Sequence, residues 1–122
     1  MEERRQEGSN PTFHRPWGSF SELARGPGFL VKELCVRPGA RLSLQRHRFR
    51  AEHWVCVAGQ GVALCGGEEI LLVLGGSLTV PAGAVHRLTN SGSQALRIIE
   101  TQTGERLSED DIDRLADDWG RV

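Results

Sequence analysis

No excess of either charge marks this chain: lysine and arginine together number 15, against 16 acidic residues. That balance excludes the strongly basic surface that a nucleic acid or an anionic membrane demands. Long apolar runs are missing too. A stretch such as Ile70 to Leu74 falls far short of a bilayer span, which excludes a transmembrane helix. The first ten residues, MEERRQEGSN, lack the apolar segment of a secretory signal. Cysteine is sparse: Cys35, Cys56 and Cys65 form no CxxC pair, and each sits in an apolar run where a free thiol acts as a small hydrophobe. These absences predict a protein of a reducing cytoplasm. No internal repeat or low-complexity segment occurs. At 122 residues the chain can build one core but not two.

What is present is a succession of short Val, Leu and Ile runs broken by glycine and proline. The breaks fall at Pro38-Gly39, Gly59 and Gly61, Gly66-Gly67, Gly75-Gly76, Pro81 to Gly83, and Asn90 to Gly92. Such spacing predicts an all-β sandwich or barrel. Strands are expected at 29–37, 41–47, 52–58, 61–65, 69–73, 77–80, 84–90 and 95–102. Residues 1–12 read as a polar arm and 13–122 as a single domain. One short C-terminal α-helix is expected. Ser108 with Asp111 three residues on resembles a capping box, Glu109, Asp110, Asp111 and Asp113 crowd its first turn, and Ile112, Leu115 and Ala116 form a one-sided stripe.

Two segments carry fixed spacings. In the first, Gly39 is followed by Gln45, His47, Glu52 and Gly59; in the second, Gly75 is followed by Pro81, Gly83, His86 and Asn90. Together they resemble the two motifs of the cupins over their whole length, with Gln45 where most cupins have histidine. The resemblance implies a cupin double-stranded β-barrel. Strand geometry agrees with it. Gln45 and His47, two apart, point to one face, whereas Glu52 reaches that face only if residues 48–51 turn. His86 starts a strand just after a Pro-Ala-Gly turn. An amide oxygen, two imidazoles and a carboxylate would then converge on one divalent ion, zinc first, with iron, manganese, cobalt or nickel as alternatives. His14 and His53 stand outside this set.

The stretches RPGARLSLQRHRFRAEHWVCVAGQG, VPAGAVHRLTN and IIETQTGERLSEDDIDRLADDWGR resemble the C-terminal domain of type II mannose-6-phosphate isomerases, as does RPWGSF at 15–20. Gln45 is usual in that branch. Arg48, Phe49 and Trp119 depart from it, standing where relatives carry histidines and a tyrosine. The guanylyltransferase half to which that domain is commonly fused has no counterpart, and no Gly-rich nucleotide loop occurs. The resemblance implies interconversion of mannose 6-phosphate and fructose 6-phosphate, feeding polysaccharide precursors. The metal would act as Lewis acid; Lys32, Glu100 or a metal-bound water would serve the carbon acid; and Arg50 would clamp the phosphate. Parity puts Lys32 with Leu30, Leu34 and Val36, and Glu100 with Leu96 and Ile98, on inward faces. Arg87, Trp54 and Ser43 complete the expected substrate-binding set. A metal- or sugar-binding module without catalysis is the alternative, and an iron oxygenase a further rival. The outward Leu44, Val55 and Val57 suggest a homodimer.

Overall fold

The computed structural model describes residues 10–122, and every regular element in it is a β-strand. They are β1 (Thr12–Arg15), β2 (Gly18–Gly26), β3 (Phe29–Val36), β4 (Leu44–Arg46), β5 (Arg50–Ala58), β6 (Gly61–Cys65), β7 (Glu68–Leu72), β8 (Ser77–Val80), β9 (His86–Thr89), β10 (Leu96–Gly104) and β11 (Asp113–Ala116). Residues 1–9 of the expected polar arm lie outside the described residues, and its last member, Thr12, opens β1.

The strands form two antiparallel sheets. One has the order β1-β2-β3-β10-β5-β8 and the other β11-β4-β9-β6-β7. Among the described residues no ladder joins the two, so the expected closed barrel is corrected to a pair of facing sheets. All eight expected strands are present, with bounds shifted by up to three residues at either end. The hairpin β1–β2 was not expected. Its residues are mostly exposed or half-buried, with Phe20 the one buried side chain, so it shows no hydrophobic alternation.

The C-terminal helix is absent. Residues 109–110 turn, and 113–116 form β11 against β4, with Asp113 opposite Arg46. The acidic run serves arginines and amides of the 46–49 segment instead of a helix start. Asp113 Oδ2 accepts from Arg46 Nε and Arg48 Nε, each at 3.1 Å. Tertiary pairing thus overrides the local capping signal.

Alternation along β3, β5 and β10 sorts each strand cleanly between core and outside. Cross-strand register then divides the interior into an apolar end and a polar end. Leu34, Ile98 and Cys56 lie side by side, as do Val36 and Leu96. One repeat further along stand Lys32, Glu100 and Trp54, and beyond them Leu30, Gln102 and Glu52. The apolar end carries the stability: each buried leucine or isoleucine contributes about 1.5–3 kcal/mol, and Val36, Leu88, Leu96 and Ile98 are fully buried. The polar end, equally buried, needs another explanation.

No helix of the described residues is long and apolar enough to cross a membrane. All three cysteines are free.

Candidate metal centre and cavity

Four donor residues reach the polar end from both sheets. Gln45 on β4 and His86 on β9 are register partners in the smaller sheet. His47 follows β4 directly, and Glu52 comes from β5 of the larger sheet. The turn between β4 and β5 is shorter than expected, covering residues 47–49, so Arg50 already belongs to β5 and points inward with Glu52 and Trp54. Gly83 sits at φ +86°, a left-handed conformation that favours glycine, and its amide donates to the His47 carbonyl at 2.7 Å. That one bond ties the turn before His86 to the His47 backbone.

Both imidazoles have their tautomers dictated by backbone carbonyls, which can only accept. His47 Nδ1 donates to Asp111 O at 2.7 Å, and His86 Nδ1 donates to Ala84 O at 2.9 Å. Each Nε2 is therefore an acceptor while the ring is neutral, and that of His47 accepts from Arg50 Nη2 at 3.3 Å. Neutrality is favoured at both: burial, helped by the Arg50 charge, lowers His47 to about 4, and burial lowers His86 as well. His47 Nε2 lies 3.2 Å from Glu52 Oε2, and His86 Nε2 lies 3.9 Å from Glu52 Oε1. With neutral rings these are not ion pairs but acceptors facing acceptors. One donor atom from each of His47, Glu52 and His86 falls within 4.8 Å of the others, and all three residues are buried. Two donors on a common ion, each about 2.1 Å from it, lie roughly 3–4 Å apart. The donor set therefore fits a divalent ion. Backbone acceptors on Nδ1 are also the outer support that metal-bound histidines use.

Gln45 adds to this set. Its amide nitrogen donates to Ser43 O at 3.3 Å and Ser43 Oγ at 3.1 Å, and the carbonyl partner fixes which end is nitrogen. The oxygen is left as the acceptor end, in a residue that lines the same cavity. Ser43 thus orients Gln45.

Glu52 is held on two sides. Arg50 Nε donates to its Oε2 at 2.9 Å, and Trp54 Nε1 donates to its Oε1 at 3.0 Å. Arg50 also reaches His47 Nε2 at 3.3 Å and Ser108 O at 3.1 Å. Each nitrogen of the guanidinium has a partner, so Arg50 supports the donor set, and it also lines the cavity in which it is expected to meet a phosphate. Arg87 is corrected: it does not line the cavity. Its Nε goes to Leu42 O at 3.0 Å and its Nη2 to Ala116 O at 3.3 Å, because alternation from His86 sends it to the other face.

The remaining expected residues, Lys32, Ser43, Trp54 and Glu100, all line the cavity, which encloses about 90 Å³. Glu100 is 6% exposed; burial and the neighbouring Glu52 push its carboxyl well above the usual range. Gln102 donates to it at 3.0 Å. His53 pairs with Thr79 on the outer face, and His14 is exposed on β1. Sequence reasoning missed Glu109, Asp111 and Arg114. Two of them lay in the acidic run read as a helix start, and Arg114 in the body of that helix; only their partners in space distinguish them.

Residues 2–117 match the family described as mannose-6-phosphate isomerase C-terminal. The chain belongs to that family. It is 49% identical over 109 residues to the alginate biosynthesis protein AlgA of Pseudomonas aeruginosa, covering 89% of this chain and 23% of that protein. It is 45% identical over 118 residues to the xanthan biosynthesis protein XanB of Xanthomonas campestris, covering 93% and 25%. A mannose-1-phosphate guanylyltransferase of Sinorhizobium fredii is 44% identical over 109 residues, with 89% and 21% covered. Among solved structures, a cupin-2 domain from Rhodospirillum rubrum superposes with a TM-score of 0.70 at 20% identity, covering 90% of this chain and 82% of that one. The cupin domain of Schizosaccharomyces pombe Cnp3 gives 0.68 at 18%, covering 70% and 64%. At these identities the likeness establishes the cupin fold alone.

The chain thus spans about a quarter of the length of its curated relatives. This corrects the expected activity. In those relatives the matched region is one part of a longer protein, named for alginate or xanthan biosynthesis or for mannose-1-phosphate guanylyl transfer. The match of that domain does not carry the interconversion of mannose 6-phosphate and fructose 6-phosphate to this chain.

Proposed function

We propose that this domain is a metal-holding, ligand-binding cupin that takes a small phosphorylated sugar, without assigning it a reaction. His47, Glu52 and His86 would hold one divalent ion, zinc first, with the Gln45 amide oxygen as a fourth donor. The observation that carries this reading is the pair of acceptor imidazole nitrogens, their tautomers set by Asp111 O and Ala84 O, that face a buried carboxylate. A bound ion would supply a Lewis acid for a sugar oxygen.

The chain's own residues do the rest. Arg50 and Trp54 orient Glu52, and Ser43 orients Gln45. Trp54, 2% exposed, stands edge-on to His86 with ring centroids 5.7 Å apart, and walls one side of the cavity. Glu100, whose carboxyl is pushed up by burial and by the neighbouring Glu52, lines the same cavity. Relatives named for mannose-1-phosphate guanylyl transfer and for alginate and xanthan biosynthesis support a mannose phosphate as the sugar. The homodimer belongs to the same reading: Val57 is exposed on the outer face of β5, and Leu44 and Val55 are half-buried. Sedimentation velocity tests it.

Elemental analysis of purified protein, followed by calorimetric titration with mannose 6-phosphate before and after chelation, tests the main reading. One metal per chain and sugar-phosphate binding that disappears with the metal are expected. Binding of mannose 6-phosphate that ignores chelation would overturn it.

A further inference from the structure

Lys32 is the one lysine in the chain, all 14 other basic residues being arginines. It is also 4% exposed, on the inward face of β3. A lysine buried this deeply needs a countercharge. The nearest carboxylates on the sheets do not provide it. Glu100, its register partner, accepts from Gln102, and Glu52 is bound to Arg50. The countercharge comes from the Glu109 side chain, which is hydrogen-bonded to Lys32 Nζ although 62% of it remains exposed. Glu109 reaches in from outside.

The segment 105–112 that carries Glu109 runs without ladder pairing from the end of β10 to the start of β11. It crosses the cavity mouth on a few contacts: Ser108 O to Arg50, Asp111 O to His47, and the Asp111 carboxylate to the amides of Arg48 and Phe49. Under it the cavity measures about 90 Å³. Pockets for small ligands start at about 300 Å³. A hexose phosphate therefore enters only when this strap lifts, and lifting it strips Lys32 of its partner. Other cationic groups line the same cavity. Arg15 acts on Glu109 electrostatically and lines the cavity, with His14 O as the acceptor of its Nη1. Arg114 lines it too, and its Nε is the one buried side-chain polar atom without a hydrogen-bond partner among the described residues.

We infer that Lys32, Arg15 and Arg114 form an anion subsite for the phosphate of the ligand, and that Glu109 fills it in the closed state as an internal competitor. The ligand displaces Glu109 and takes its place on Lys32. This rests on the reading of the cavity as a sugar-phosphate site, but not on the metal.

The experiment uses inorganic phosphate as probe, titrated into zinc-loaded and chelated protein. Glu109→Gln removes the competing charge and is expected to tighten phosphate binding about tenfold, as for a site otherwise open a tenth of the time. Lys32→Met is expected to weaken it by a similar factor. Because Lys32→Met risks misfolding, a second measurement uses the unaltered lysine. Its ε-amine should react faster with trinitrobenzenesulfonate in Glu109→Gln, and phosphate should protect it. Phosphate affinity and lysine reactivity that are both unchanged in Glu109→Gln would overturn the subsite, even in a protein that takes up zinc. Tighter phosphate binding in Glu109→Gln by a protein that takes up no metal would support the subsite and defeat the metal reading alone.

Discussion

Arg50 donates its Nε to Oε2 of Glu52 at 2.9 Å from two residues back on the same inward face of β5. The pair is almost wholly buried, and the same guanidinium reaches His47 Nε2. A cation so placed supports the donor set. It neutralises Glu52 while the metal position is free and orients that carboxylate when it is filled.

Arg50→Ala is therefore expected to lower zinc affinity about 10–100-fold, the usual effect of losing an outer partner of a metal ligand. Competition with a chromophoric chelator measures this. Unchanged zinc affinity with selective loss of phosphorylated ligands would point to the clamp and refute the support role.

His86→Ala removes a donor, and its effect should exceed that of Arg50→Ala, with metal content after dialysis falling to background. Gln45→Ala should lie between the wild type and His86→Ala. Full metal retention in His86→Ala, read by elemental analysis, would show that the two imidazoles do not share an ion.

The metal-free protein should lose stability below neutral pH. His47 titrates near 6.5 when unfolded and at about 4 when folded. Its folded value is depressed, so the unfolded chain binds the proton more tightly. The stabilisation is fully present above about 6.5 and drains away as pH falls toward 4. For His47 it amounts to at most roughly 3 kcal/mol, and His86 shifts in the same direction. Urea midpoints of chelated protein at pH 7.5 and 5 measure it; equal midpoints would contradict the buried neutral rings.

Asp111→Ala deletes the carboxylate that accepts from Arg48 N at 2.8 Å and Phe49 N at 2.9 Å. A loss of about 1–3 kcal/mol is expected, together with faster amide exchange at those two residues. The strap should loosen as well, exposing Lys32. Protection at residues 48 and 49 equal to that of the wild type would show that the strap is anchored elsewhere.

Much of this was legible in the residues. Alternation exposed the inward faces of β3 and β10, so Lys32 and Glu100 were placed in the cavity before any coordinates. The resemblance to the two cupin motifs singles out Gln45, His47, Glu52 and His86, and it agrees with a strand that repeats every two residues and with turns marked by proline and glycine. Arg50 is legible as close to the cavity, but its bonds to Glu52, His47 and Ser108 are not, since its partners are chosen by distance rather than by sequence.

Short-range chemistry, then, decided the strands, their inward faces and the identity of the donor residues: period-two alternation and turn residues act within a few positions of each other. The joining of β4 to β9 and β11, the capture of the 105–112 strap, and the pairing of Lys32 with Glu109 were decided by the folded arrangement. Those partners lie 41 to 77 positions apart for the pairs Gln45–His86, His47–Asp111 and Lys32–Glu109. A run such as Ser108 to Asp113 suits a helix start and an arginine-binding edge equally well. Only the arginines and amides of the β4–β5 turn, brought beside it in space, select the edge.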